Sequence, residues 1–149
     1  MYTIKQIQAQ EAYTVRHPVL REGKPIDSCC FPNDDLISTQ HFGLFVNKKI
    51  VGVVSLFQNK NITFNAENQW QIRGMAVLPH FQKQGFGRNL ISHCEENVGS
   101  KNTVIWFNAR ENAVPFYEKL GYKKTGNAFL IESIGLHFVM YRELKNVND

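Results

Sequence analysis

No stretch of this chain approaches the roughly 20 apolar residues that a membrane-spanning helix requires, and its first residues lack the basic-then-apolar profile of a secretory signal. A soluble, cytoplasmic protein without membrane association is the expectation. Cysteine is scarce and odd in number, with Cys29 and Cys30 adjacent and Cys94 alone. That excludes a disulfide framework. The five histidines are scattered and no Cys/His spacing of the zinc type occurs, so no metal is expected. The net charge of +4 is not gathered into a Lys/Arg tract and no nucleic-acid motif accompanies it. A polyanionic cofactor would use the same mild excess of positive charge. Internal repeats, linkers and low-complexity tracts are also missing, so the 149 residues are read as one domain, 1–149.

What is present centres on Ile72 to Asn97. A short apolar run ends at Val77 and is stopped by Pro79, which cannot continue a central strand. Gln82, Lys83, Gln84, Gly85, Phe86, Gly87 and Arg88 form the following turn. Phe86, Leu90, Ile91, Cys94 and Val98 then recur at helical spacing, with Gly99 as the expected stop. The first turn of a helix has unpaired N–H groups and a partial positive charge, which together attract phosphate. Gly85 and Gly87 remove the Cβ that would hold a ligand away from the backbone, and Lys83 and Arg88 add positive charge. A Walker loop is excluded because Arg88 and Asn89 follow Gly87, and a dinucleotide fingerprint because Leu90 stands where a third small residue belongs.

The remaining elements follow the chain. Tyr2–Ile7 alternates like a strand, and Gln10–Leu20 reads as a helix that Pro18 interrupts or ends. Residues 21–39 are irregular. Phe42–Val46 and Ile50–Phe57 read as a hairpin joined by Asn47, Lys48 and Lys49. A polar loop, Asn59–Asn68, leads to a strand at Trp70–Val77. After the glycine-loop helix, Val104–Phe107 reads as a buried parallel strand. Asn112 is the expected cap of a further helix carrying Pro115 in its first turn and ending at Gly121. Strands near Lys123–Phe129 and His137–Glu143 close the chain. The expected class is α/β with a mixed sheet, parallel where a helix connects two strands and antiparallel around it.

Two motifs carry a family resemblance. Gln82-x-x-Gly85-x-Gly87 resembles the Gln/Arg-x-x-Gly-x-Gly/Ala loop of the GNAT N-acetyltransferase superfamily, and Ala113-Val114-Pro115-Phe116-Tyr117-Glu118-Lys119-Leu120-Gly121-Tyr122 resembles that family's Phe-Tyr-Glu-Lys-Leu-Gly-Phe helix. The resemblance implies the acyl-CoA N-acyltransferase fold, with six to seven strands and about four helices. It implies acetyl-CoA as cosubstrate and direct transfer to an amine, with a small-molecule acceptor as the expectation. It places pantetheine along the backbone of Met75, Ala76 and Val77, where an N–H also meets the thioester carbonyl. The pyrophosphate falls on the amides of Lys83 through Arg88, beside Gln82, and Asn112 and Phe116 join the cofactor site. Tyr117 matches the tyrosine that protonates the departing thiolate, a role requiring a lowered pKa or an assisting partner.

This chain departs from the family pattern in two places: Arg110 stands where many members start a helix with asparagine, and Gln71 replaces a glutamate base used by some. Glu111, Glu132, His80, Asp34 and Asp35 are base candidates by type, alongside water. Arg16, Arg21 and Arg73 are candidates for holding a carboxylate-bearing acceptor, against a structural role for each. The other readings are a non-catalytic acyl-CoA binding module and a protein or peptide N-acetyltransferase. The acceptor's identity and the oligomeric state, homodimer included, are not legible in the sequence.

Overall fold

The computed structural model describes residues 1–99 and 101–144. Seven strands form one mixed sheet in the order β1-β2-β3-β4-β5-β7-β6. They are β1 (Tyr2–Ile7), β2 (Gln40–Val46), β3 (Lys49–Gln58), β4 (Asn68–Val77), β5 (Thr103–Arg110), β6 (Lys123–Ile131) and β7 (Gly135–Leu144). The α-helices are α1 (Ala9–Leu20), α2 (Phe86–Glu96) and α3 (Val114–Lys119). Among the described residues there are thus three α-helices, where about four were expected. The shortfall is made up by single 3-10 turns at Ile26–Cys29, Pro79–Phe81 and Glu111–Ala113. Backbone contacts gather the chain into two units, Met1–Gln58 with Ile72–Asn97, and Asn59–Gln71 with Val98–Asp149.

In the first unit, Glu11 reaches back to accept the Gln8 N–H at 3.1 Å, closing the start of α1. The helix runs two residues past Pro18 before Arg21 N–H caps onto the His17 carbonyl at 3.1 Å. Pro18 therefore neither breaks the helix nor ends it at once, because so near the C-terminus it removes little of the hydrogen-bond ladder. The β2–β3 hairpin closes on two residues, Asn47 and Lys48, rather than three; both take positive φ, 49° and 67°, and Val46 pairs with Lys49. That is the primed turn whose twist suits two antiparallel strands.

Ala12 and Val15 of α1 pack with Ile7, Val53 and Ala76 in the core of this unit. The preceding residue on β3, Gly52, faces the other way, so that a Cβ there would stand 3.2 Å from Leu90 of α2. The two helices therefore cover opposite faces. α2 buries Leu90, Ile91 and Cys94 as its periodicity requires, but ends at Glu96 with Asn97 as its cap, so Val98 and Gly99 lie outside it. The Asn97 side chain donates to the His93 carbonyl at 2.8 Å, ending the helix before glycine is needed.

In the second unit, the parallel β4–β5 ladder runs from Asn68↔Thr103 to Gln71↔Trp106, while β7 pairs antiparallel with both β5 and β6. The polar loop before β4 is organised by one buried amide. Gln69 accepts the Asn61 N–H at 2.7 Å and donates to the carbonyls of Phe64 and Ala66 at 3.0 and 3.1 Å.

Candidate functional site

Gly85 is the N-cap of α2 at φ 85°, a left-handed conformation that an L side chain enters only with strain. The nearest atom to a Cβ built there is an Arg88 guanidinium nitrogen at 3.8 Å, so the space beside Gly85 is open. No side chain caps the helix. Lys83 also takes positive φ, 64°, which makes a second sharp turn in the loop. The loop is tied at its base, where Gln82 Nε2 donates to the Val77 carbonyl at 2.9 Å and Gln84 Nε2 to the His80 carbonyl at 3.3 Å. The glutamine side chains brace the loop, and Lys83 and Arg88 are exposed beside it. Phe86 is fastened by an edge contact to Tyr2, ring centres 5.6 Å apart.

On β4, Ala76 is buried in the core, whereas Met75 and Val77 are half-exposed. Ala76 thus serves the core, the side chains of Met75 and Val77 are only partly covered, and the Val77 carbonyl accepts from Gln82. Gly74, at φ 67°, interrupts the strand just before them; a Cβ there would stand 2.9 Å from the Phe31 ring and 3.0 Å from Arg16 Nε. Glycine is needed at this position both for its conformation and for that close approach.

Arg16 is fully buried. It forms a bidentate pair with Asp34, Nη1 to Oδ2 at 2.7 Å and Nη2 to Oδ1 at 3.1 Å, and donates to the Cys29 carbonyl at 2.7 Å and Ser55 Oγ at 2.8 Å. His41 completes the network: Nε2 faces the Asp34 carbonyl at 2.9 Å and so must donate, which leaves Nδ1 to accept from the Ser55 hydroxyl at 2.6 Å. Arg16 is therefore a structural residue, not an acceptor ligand. Asp34 is removed from the base candidates, because Arg16 and the Phe31 N–H at 2.8 Å occupy its carboxylate. His80, Asp35, Glu111 and Glu132 are all exposed.

Tyr117 lies on α3 with its ring 4.4 Å from that of Phe107, and Phe116, 40% exposed, is 5.0 Å from it. Asn112 is not the cap of α3. It lies exposed within the preceding 3-10 turn, and Ala113 holds the cap position, because that extra turn shifts the helix start to Val114. Gln71 is buried and accepts the Asn59 amide at 2.9 Å. His137 drew no attention in the sequence. It is buried opposite Arg110, and its Nδ1 donates to the Gly135 carbonyl at 2.8 Å.

Burial raises the Tyr117 pKa to about 12, opposite to the lowering that proton transfer to a thiolate requires. The same shift has a consequence for stability. The folded protein keeps a proton that the unfolded chain releases near pH 10, so this contribution is complete below pH 10 and is lost as pH rises toward 12. Tyr117→Phe is expected to flatten the alkaline decline between pH 10 and 11 by up to about 1.4 kcal/mol per pH unit. Urea unfolding of both proteins at pH 9, 10 and 11 checks this, and parallel curves would contradict it. Desolvation likewise pushes the Cys94 thiol far above its ordinary range, which suits a core residue and not a nucleophile.

A solvent-open cavity of about 580 Å³ lies in the second unit, walled in part by Phe64, Asn102, Thr125, Tyr141 and Glu143. It contains none of the residues expected to bind cofactor. Among the described residues no helix is long and apolar enough to cross a membrane, and no three His, Cys, Asp or Glu side chains gather as metal ligands do.

Comparison with known proteins bears on the same elements. Residues 35–144 match the acetyltransferase (GNAT) domain family. An uncharacterized N-acetyltransferase of Bacillus subtilis strain 168, YitI, is 31% identical over 146 residues, covering 97% of this chain and 98% of its own length. Among solved structures, an aminoglycoside 6'-N-acetyltransferase complexed with coenzyme A superposes with TM-score 0.75 at 15% identity, over 99% of each chain. The ribosomal-protein-S18-alanine N-acetyltransferase of Escherichia coli gives 0.72 at 19%, over 99% of this chain and 96% of that one. The glycine loop before α2, the mixed seven-stranded sheet and these matches lead to one conclusion: the chain belongs to the GNAT acetyltransferase family and has the acyl-CoA N-acyltransferase fold.

Proposed function

We propose that this protein transfers the acetyl group of acetyl-CoA directly to a primary amine of a small-molecule acceptor. The observation that carries the cofactor half of this reading is the uncapped start of α2 behind Gly85, with open space before it and Lys83 and Arg88 beside it. Fixed amides and positive charge at a helix N-terminus suit a pyrophosphate. The residues proposed to meet the cofactor are Gln82 through Arg88, Met75, Ala76, Val77, Asn112 and Phe116. The coenzyme A complex of the aminoglycoside enzyme supports the cofactor assignment by fold.

In the proposed reaction the amine nitrogen attacks the thioester carbonyl, forming the C–N bond and a tetrahedral oxyanion, which a β4 backbone N–H stabilises. Collapse of that intermediate breaks the C–S bond and releases coenzyme A as its thiolate, while water takes the proton lost by nitrogen. Moving a proton fully from a phenol at about 12 to a thiolate whose thiol lies near 8.5 is uphill by roughly 5 kcal/mol. Tyr117 is therefore assigned to donating a hydrogen bond to the sulfur as charge develops there, rather than to complete proton transfer.

The test of the cofactor site is Gly85→Asp. Aspartate is among the side chains that best tolerate left-handed backbone, so its main effect is a negative charge placed where phosphate lies. Acetyl-CoA affinity is expected to fall at least tenfold, about 1.4 kcal/mol, and Gly85→Asn, of the same shape without the charge, to lose less. Calorimetry finding wild-type affinity in a folded Gly85→Asp protein would remove the loop as the phosphate site.

A further inference from the structure

Three guanidinium groups converge on one phenyl ring. Their central carbons lie 4.0 Å (Arg16), 4.9 Å (Arg73) and 5.6 Å (Arg21) from the centre of Phe31, and Arg73 is also 5.4 Å from the ring of Phe57. One buried carboxylate stands among them. Asp34 spends both oxygens on Arg16 and the Phe31 N–H, so it neutralises a single charge. Arg21 donates Nη1 to the Leu20 carbonyl at 3.0 Å, a neutral acceptor. Arg73, half-buried on β4, makes no hydrogen bond or ion pair among the described residues. Its five N–H donors are open, and aromatic faces attract a cation without cancelling its charge. Burial, with Arg16 and Arg21 adding repulsion against the attraction of Asp34, lowers its pKa. A half-buried, hydrogen-bond-deficient arginine beside a second cation is costly unless an anion completes it.

Arg73 immediately precedes Gly74 and the Met75–Val77 backbone. It lies two residues before Met75 and four before Val77 on β4. The geometry points to an acceptor that carries a carboxylate, bound by the Arg73 fork with Arg21 adding charge, a few bonds from the amine that reaches the thioester. This rests on the transfer reaction proposed above and adds the acceptor class to it. Arg73 suits the task because its planar fork matches a carboxylate bidentately.

The experiment uses paired acceptors, unbranched amino acids with one to five carbons between amine and carboxylate and their carboxamide twins, with the wild type, Arg73→Gln and Arg73→Lys. Acetyl-CoA consumption gives kcat/KM for each pair. The wild type is expected to favour acid over amide at least tenfold, mainly through KM. Arg73→Gln should bring that ratio near one, and Arg73→Lys should keep part of it. Equal use of acid and amide by the wild type, or an unchanged ratio in Arg73→Gln, overturns the proposal. If no pair is turned over, calorimetric titration of the same acids and amides into the coenzyme A complex decides it. Heat specific to the acid and lost in Arg73→Gln supports the subsite, and no such heat overturns it. Calorimetry of acetyl-CoA alone reads the cofactor site separately, so failure of the transfer reading is distinguishable from failure of this one.

Discussion

Asp34→Ala is expected to destabilise the protein by about 3–5 kcal/mol, the usual cost of leaving one partner of a buried ion pair uncompensated. Both side chains of the Arg16–Asp34 pair are fully buried, so no water replaces the lost carboxylate. The Phe31 N–H loses its acceptor at the same time. Arg16 Nε is already without a partner, and the substitution would leave that guanidinium with only the Cys29 carbonyl and Ser55. For a protein of this size the melting temperature should fall by roughly 10 °C. Asp34→Asn keeps the shape and an oxygen for Phe31 but turns an N–H toward Arg16, so an intermediate loss is expected. Chemical denaturation of the three proteins measures this. A loss below about 1 kcal/mol in Asp34→Ala would mean that the network contributes little to the fold.

Tyr117→Phe is expected to slow acetyl transfer by at least tenfold, and by about 10²–10³ if the phenol acts as a fixed hydrogen-bond donor to developing charge. The ring packs on Phe107, so the phenylalanine retains the apolar contact and both fold and cofactor affinity should be nearly retained. With a pKa near 12 the phenol carries its proton throughout the working range, so the variant's pH–rate profile between pH 6 and 9 should be lower but unchanged in shape. A profile that loses a limb in the variant would instead show Tyr117 titrating during turnover. Single-turnover rates are the better measure, since slow product release hides a slower chemical step. An unchanged chemical rate would remove Tyr117 from the mechanism. Acetyl-CoA binding with no transfer to any amine would favour a binding module.

Local chemistry was legible residue by residue. Pro79, Gly85 and the Leu90, Ile91 and Cys94 stripe mark strand end, loop and helix within one short stretch, and the structure places each as read, apart from a helix end two residues early. The β2–β3 hairpin and the place of Pro115 in the first turn of α3 were also readable, because turn and helix-start preferences act over a few neighbouring residues. Asn112 was misassigned as a cap because a 3-10 turn, which leaves little sequence trace, intervenes.

Partner choice across the chain was not legible. Arg16, Arg21 and Arg73 are chemically equivalent in sequence. Only the fold brings Asp34, eighteen residues away, and Ser55, thirty-nine away, to Arg16. Only the fold leaves Arg73 beside two phenyl rings and, among the described residues, without a carboxylate of its own. The chain by itself thus determined the glycine loop, the motif helix and the strand pattern, since each follows from the conformational preferences of adjacent residues. Tertiary structure decided which arginine is structural, which glutamine organises a loop and which way the Tyr117 pKa moves. Those outcomes depend on desolvation and long-range pairing, which no local preference encodes.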